Sequence, residues 1–369
     1  LTLKIVEVEA IPIRIPLKKP FTIAVGTLTH CNHVLVRMTD DNGRVGWGET
    51  TTFLEVYGYD QKSLCRALTD HLIPAVKGMD PHDLALIHQR MDQVMPNNLM
   101  AKAGIDFAIH DLLAQAVEQP IHALIGGKRL DRIPLICGID IMPADQAIEI
   151  ALEMVNQGYR TVKIKIGKDP RADIERVKSV RKAVGDEIKL RVDGNCGYDR
   201  DMAVRTFSRM EEYGLEWIEQ PLPAWDLDGM AMLADRLDTP IAVDESMYTP
   251  YNAQHCIALG AADIVNIKIV KCGGIYRSQK IAALCAAAGV PCFLGGCIET
   301  TPGTAAAAHF YAATPNIISA AEIYGSDHYV DDIVKEKFTI DHGELRLPLM
   351  PGLGVVIDEE KVSRYRSDQ

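Results

Sequence analysis

The chain has 369 residues, 47% of them apolar and 24% charged, with a formal charge of −11 at pH 7. No lysine- or arginine-rich block interrupts that acidity, which argues against a nucleic-acid partner, and no apolar run reaches the ~20 residues that span a membrane. The nine cysteines form no C-x-x-C pair and no framework, as expected of reduced thiols in a cytoplasmic protein.

The opening run, LTLKIVEVEAIPIRIPLKKP, alternates apolar and polar residues and predicts a strand rather than a secretion signal. Two further strand-like runs, NHVLVRMTD and GRVGWGET, precede helical stretches from 61 to 120, so residues 1–125 read as an α+β domain. After residue 130 short β-branched runs recur, at 133–141, 161–167, 188–195, 215–221, 240–246, 263–270, 290–296 and 316–323. Segments of helical periodicity separate them, and several end on glycine. Strand–helix alternation predicts a parallel sheet, and eight strands about 25 residues apart close a (β/α)8 TIM-type barrel over residues 126–325. No G-x-G-x-x-G follows the first of these strands, which argues against a doubly wound open sheet. The last stretch, 326–369, is strand-like and turn-rich and is expected to return to the first domain.

Catalytic groups in such a barrel project from the C-terminal ends of the strands. In TVKIKIG two lysines, Lys163 and Lys165, share one face of a segment that is otherwise apolar. Asp193, Glu219 and Asp244 end the next three strands, 26 and 25 residues apart, with Asn195 and Glu245 close behind. Three carboxylates brought together repel unless a cation joins them, and all-oxygen ligands suit Mg²⁺ or Mn²⁺. Lys268 ends the sixth strand, four strands round from Lys165, so the two amines flank the acidic cluster as candidate acid and base. The neighbouring positive charges are expected to lower the lysine pKa values, the plainer alternative being that the lysines only neutralise the acids. Lys271 lies at an odd offset from Lys268 and is expected to point away from the barrel interior. Glu299 and Glu322 end the seventh and eighth strands, and Gly295–Gly296 with Thr300 and Thr301 reads equally as an anion-binding turn or a structural one.

This constellation resembles the enolase superfamily, and within it the muconate-lactonizing-enzyme subgroup. The match rests on KIKIG, RVDGN, IEQPL, AVDES and NIKIVKCGGI, and extends to GWGET, AKAGIDFAIHDL and the terminal PGLGVVID. The resemblance implies a modified barrel with a capping domain, one divalent metal per subunit on Asp193, Glu219 and Asp244, and a proton removed from or added to the carbon α to a carboxylate through an enediolate. It implies Lys165 and Lys268 as the acid/base pair, Lys163 as the residue that tunes Lys165, and a homo-oligomer, often an octamer.

The same resemblance implies a small carboxylate substrate and leaves its identity to the capping loops near 18–30 and 50–60 and to the last barrel strands. Candidate substrate contacts are Asn195, Glu299, Glu322, Thr52, Tyr57 and Tyr59. The Thr-Thr and Tyr-Gly-Tyr of the second loop and Glu322 in AEIYG are similar to muconate cycloisomerases, and the Asp-x-Asp of dipeptide epimerases is missing from the eighth strand. The sixth strand looks as much like N-succinylamino-acid racemases. A muconate-type cycloisomerase is therefore the first expectation and an N-acylamino acid racemase or dipeptide epimerase the second. An acid dehydratase, a Schiff-base aldolase through Lys268 and a non-catalytic metal-binding barrel are the remaining readings.

Overall fold

Strands β1 (Ile5–Ile23), β2 (Gly26–Asp40) and β3 (Val45–Thr51) form an antiparallel sheet in order β1-β2-β3 in the computed structural model, which describes residues 3–24 and 26–368. In β1 the buried Ile11, Ile13, Ile15 and Leu17 are spaced by two, with Arg14 and Lys18 turned to solvent. The helix Leu99–Ala116 is buried along nearly its whole length and lies against β2 and β3. Glycines allow that approach: a Cβ on Gly48 would stand 1.9 Å from the Gly104 carbonyl oxygen, and one on Gly46 would stand 2.4 Å from that of Ala108. Gly48→Ala is therefore expected to force helix and sheet apart and to cost about 3 kcal/mol. Chemical denaturation of the variant measures this, and a cost below about 1 kcal/mol would show that the helix can shift freely.

Beyond a short β4 (Arg132–Pro134), seven parallel strands curl into the barrel: β5 (Cys137–Ile139), β6 (Thr161–Lys165), β7 (Lys189–Asp193), β8 (Leu215–Glu219), β9 (Ile241–Val243), β10 (Ile264–Ile267) and β11 (Cys292–Leu294). Helices return between them. The helix Pro170–Val184 shows why: Asp169 accepts from the first backbone amides, Pro170 sits at its first position, and Gly185 (φ +75°) ends it. Inside the barrel the Arg191 guanidinium stacks 3.7 Å over the Trp217 ring and donates to Glu216 at 2.7 Å.

The expected first barrel strand is divided. Its start, β4, pairs with the C-terminal β13 (Glu344–Arg346), which follows β12 (Ile340–Asp341); only residues 137–139 join the parallel sheet. The expected eighth strand, 316–323, is not regular either. It closes the barrel through isolated bridges, Leu135 to Ala321 and Cys292 to Ile317. The intervening carbonyls are taken by side chains: Tyr311 donates to Ser319 and Arg191 to Ala320, at 2.9 and 3.0 Å. The chain then runs back to β1, where the helix Glu359–Tyr365 packs and Arg366 pairs with Glu9 at 3.0 Å.

Three buried carboxylates of the N-terminal region take up backbone amides far along the chain. Glu49 on β3 accepts from Thr300 N, Thr300 Oγ1 and Gly303 N at 2.8, 2.6 and 2.9 Å, capping the helix Thr301–Ala313 from outside. Asp106 accepts from Ile275 N at 2.6 Å, at the first residue of the helix Ile275–Ala287. Asp111 accepts from Trp47 N and Leu353 N, both at 2.8 Å. Among the described residues no helix is long and apolar enough to cross a membrane.

Candidate active site

Lys165, Asp193 and Glu219 are Cα partners across β6, β7 and β8, so their side chains leave three adjacent strands at one level. Asp244 follows the last residue of β9, and Lys268 the last of β10. Strand twist and the period of two thus gather the charged residues on one rim of the barrel, where the sequence placed them.

The lysines close on the acids. Lys163 Nζ lies 2.8 Å from Asp193, 2.7 Å from Glu219 and 2.6 Å from Glu322. Lys165 Nζ donates to Asp193 at 2.6 Å and to Asn195 Oδ1 at 3.1 Å. Lys268 Nζ is 2.7 Å from Asp244 Oδ2 and donates to the Tyr57 hydroxyl at 3.4 Å. Lys271 departs from expectation. It is buried and donates to Asp244 Oδ1 and to the Asp244 carbonyl, both at 2.7 Å. The strand ends at Ile267, so alternation by two no longer fixes where residue 271 points.

Burial raises Asp193, Asp244 and Glu219, and the ammonium groups decide which are pulled back. Asp193 is buried yet held down at about 2 by Lys163 and Lys165. Asp244, also buried, is held well below the carboxylate range by Lys268 and Lys271. Glu219 is pushed up to about 8 by burial and by the charge of Asp193. Burial lowers Lys163 and Lys268, but the surrounding carboxylates outweigh it and hold both well above the ordinary lysine value. The acids crowd closer to Lys163 and Lys268 than the other ammonium groups do, and this sets the direction of their shift.

Among the described residues no three His, Cys, Asp or Glu side chains converge on a metal-sized point as they stand. The donor set nevertheless fits a hard divalent cation. Glu219 Oε2 and Asp244 Oδ2 are buried with no hydrogen-bond partner of proper geometry, held only by ammonium contacts, and Glu245 Oε2 behind them is also unpartnered. A cation would find unspent carboxylate lone pairs there.

Two connected lobes lie over the lysines. The inner one, about 60 Å³, is lined by Lys163, Lys165, Lys268, Asp140, Glu322 and Tyr324 among others. The outer one, about 50 Å³, is lined by Lys165, Lys268, Asn195, Tyr57 and Cys297 together with Ile23, Phe53 and Val56. Phe21 and Ile298 border both.

Of the expected substrate contacts, Tyr57, Asn195 and Glu322 line these lobes. Asn195 spends its amide on neighbours, with Nδ2 donating to Glu245 at 3.0 Å. Glu299 is buried beside the lobes and accepts from Cys297 N at 2.8 Å, with burial pushing it up to about 7. Thr52 donates to the Asn32 carbonyl at 3.0 Å, and neither it nor Tyr59 lines either lobe. The sequence reading missed Asp140, Tyr324, Cys297 and Ile298. Asp140 directly follows β5 and Tyr324 is two residues past Glu322, so the strand-end rule applied to the first and eighth strands would have found both. Cys297 and Ile298 sit in an irregular loop with no such signal.

Residues 5–126 match the mandelate racemase / muconate lactonizing enzyme N-terminal domain, and residues 146–361 match the enolase C-terminal domain-like family. The chain belongs to the mandelate racemase / muconate lactonizing enzyme family of the enolase superfamily. N-succinyl-L-Arg/Lys racemase of Bacillus cereus is 33% identical over 97% of this chain and 96% of its own. Muconate cycloisomerase 1 of Rhodococcus opacus is 32% identical over 98% of both. The crystal structure of a dipeptide epimerase from Enterococcus faecalis, complexed with Mg and the dipeptide L-Leu-L-Tyr, superimposes with a TM-score of 0.92 at 33% identity, covering 96% of this chain and 99% of that one. These relatives are isomerases, and this member of the family is an enzyme of that class. Its fold is the family's TIM-type barrel with a separate antiparallel N-terminal sheet.

Proposed function

We propose that this enzyme is a lactonizing cycloisomerase acting on a small unsaturated dicarboxylate of the muconate type. The lining of the outer lobe carries the reading. Among the described residues its ionisable side chains beyond Lys165 and Lys268 are only Tyr57 and Cys297, both raised by burial and therefore neutral at pH 7, and the rest of the wall is largely apolar. Its lining, among the described residues, has no arginine to hold a distant carboxylate, and the acids Asp140 and Glu322 lie in the inner lobe. With no cation beyond Lys165 and Lys268 to fix it, the far carboxylate is free to turn back on its own chain.

Asp193, Glu219 and Asp244 would hold Mg²⁺ or Mn²⁺, and the ion would supply Lewis-acid stabilisation of negative charge on the substrate carboxylate. The chain's own residues do the rest. Lys165 or Lys268, each lining both lobes, gives a proton to the carbon α to one carboxylate. The other carboxylate forms the ring C–O bond, and the donor is reprotonated by solvent. Lys163, held by Glu322, keeps positive charge beside Lys165. Asn195 orients Lys165, and Tyr57 orients Lys268. Phe21, Ile23 and Phe53 keep water from the reacting carbon.

A second reading, 1,1-proton transfer on an N-acylamino acid or dipeptide, is favoured by a different observation: both lysines border both lobes, so one can take a proton and the other return it. The test gives the Mg²⁺-loaded enzyme cis,cis-muconate, followed by loss of diene absorbance, and N-succinyl-L-amino acids, followed by optical rotation. Loss of the diene is the expected result. Decay of rotation with an inert diene would replace the first reading by the second.

A further inference from the structure

Gln220 directly follows Glu219 at the end of β8, and its backbone has φ +31°, in the left-handed region that a side chain of this length avoids. The turn divides its hydrogen bonds between two neighbours. Gln220 N donates to the Ala242 carbonyl of β9 at 2.9 Å. In a regular parallel pair the carbonyl of the same residue would then accept from Asp244 N. Here that carbonyl accepts instead from Cys196 N, at 2.9 Å, in the turn that follows Asp193. The side chain supplies the missing acceptor: Gln220 Oε1 accepts from Asp244 N at 2.9 Å and from Ser246 N at 3.2 Å. Its Nε2 donates to the Leu222 carbonyl and to Ser246 Oγ, both at 2.9 Å. Gln220 is fully buried, and both acceptor positions and both hydrogens of its amide are spent.

These bonds reach the two acids that flank Glu219. Asp244 is held at its own backbone amide. Asp193 is held through its turn, where it accepts from Asn195 N at 2.9 Å and where Gly194 N donates to the Glu219 carbonyl at 2.9 Å. We infer that Gln220 is a positioning residue for the cation site, whose two carbonyls, one of the backbone and one of the side chain, set the three carboxylates before an ion is bound. The inference rests on the reading of Asp193, Glu219 and Asp244 as ligands of Mg²⁺ or Mn²⁺. Gln220 lines neither lobe, so it acts through those acids and not on the substrate. Methionine in its place would fill a similar length but leave Asp244 N without its partner. Asparagine adopts a left-handed backbone more readily, yet is one methylene too short to keep the bond.

The test compares the full-length wild type with Gln220→Met and Gln220→Asn. Calorimetry gives the Kd for Mg²⁺ and for Mn²⁺, and thermal unfolding is read in EDTA and in Mg²⁺. Both variants are expected to bind either ion about 10–100-fold more weakly and to lose most of the rise in Tm that Mg²⁺ gives the wild type. A residue that serves only the fold would lower Tm in EDTA and leave both Kd values unchanged, which overturns the inference. Wild-type affinity in Gln220→Asn overturns it too, since the position would then matter for its backbone alone. Should neither variant fold, Ser246→Ala removes one anchor of Nε2 and is expected to weaken either ion about threefold, an unchanged Kd overturning the inference. If the wild type binds neither ion, the metal reading has failed by itself. Amide hydrogen exchange over residues 241–247 then decides the hold on Asp244: exchange about tenfold faster in Gln220→Met supports it, and an unchanged rate overturns it.

Discussion

Replacing Lys268 or Lys165 by alanine is expected to lower kcat about 10²–10⁴-fold for whichever of the two moves the proton, without unfolding the protein. Both halves follow from the pairing. Asp244 is held by Lys268 and Lys271, each at 2.7 Å, so losing Lys268 leaves the buried acid with one ammonium partner. Asp193 likewise keeps Lys163 at 2.8 Å when Lys165 is removed. A buried charge stripped of all partners costs about 3–5 kcal/mol, and this doubling avoids that penalty. The two variants also separate the two readings. A cycloisomerase needs one proton donor, so one variant should retain at least a hundredfold more turnover than the other. A racemase needs both lysines, so both variants should lose racemisation equally. Steady-state kinetics with circular dichroism as the folding control decides it, and two variants within tenfold of wild type would remove the lysines from the mechanism.

Glu49→Gln is expected to be the most damaging single change outside the rim of lysines and acids. His33 Nδ1 lies 3.0 Å from Glu49, both fully buried, and Tyr329 donates to Ile298, so it accepts from His33 Nε2. Nε2 then donates and Nδ1 faces the Glu49 carboxylate, an arrangement that favours the imidazolium of His33. Burial would lower it, but hydrogen bonds to Cys31 and Glu49 raise it to about 10, while Glu49, which burial alone would raise, is held below its ordinary value by His33 and Thr300. The variant leaves that imidazolium unpaired and weakens the cap on the helix Thr301–Ala313, at a cost of about 3–5 kcal/mol.

The pH dependence has a definite sign. The raised His33 contributes stability that is complete below 6.5 and is lost as pH rises through about 10. The lowered Glu49 contributes stability that is complete above 4.5 and is lost as pH falls. Wild-type stability from the pair is therefore greatest between 4.5 and 6.5, the two ordinary values, and Glu49→Gln should flatten both flanks. Urea midpoints measured across pH test this. A variant with wild-type curvature would place the linkage elsewhere.

The rim of charged residues was legible because a parallel barrel strand carries its chemistry at a fixed end, and Lys163, Lys165, Asp193, Glu219 and Asp244 all lie on or just past such ends. Legibility failed where the backbone leaves the strand. Lys271 was set aside by an alternation that stops at Ile267. The eighth strand reads as regular because ISAAEI has the composition of one, while its carbonyls are claimed by the side chains of Tyr311, on the preceding helix, and Arg191, far away in sequence. Ile298 carries no sign of its left-handed backbone, which arises from Tyr329, Gly325 and Glu49 together. Glu49, Asp106 and Asp111 lie in motifs that the sequence marks by resemblance alone, and their physical purpose, holding backbone amides across the fold, needs three dimensions to be seen.

The most direct measurement is proton NMR of the full chain in D₂O with cis,cis-muconate, run with Mg²⁺ and again after EDTA. The account predicts a lactone carrying one deuteron at the carbon α to its free carboxylate, formed with Mg²⁺ and suppressed by the chelator. A lactone formed at the same rate under EDTA, or one without that deuteron, would contradict metal-assisted proton delivery from Lys165 or Lys268.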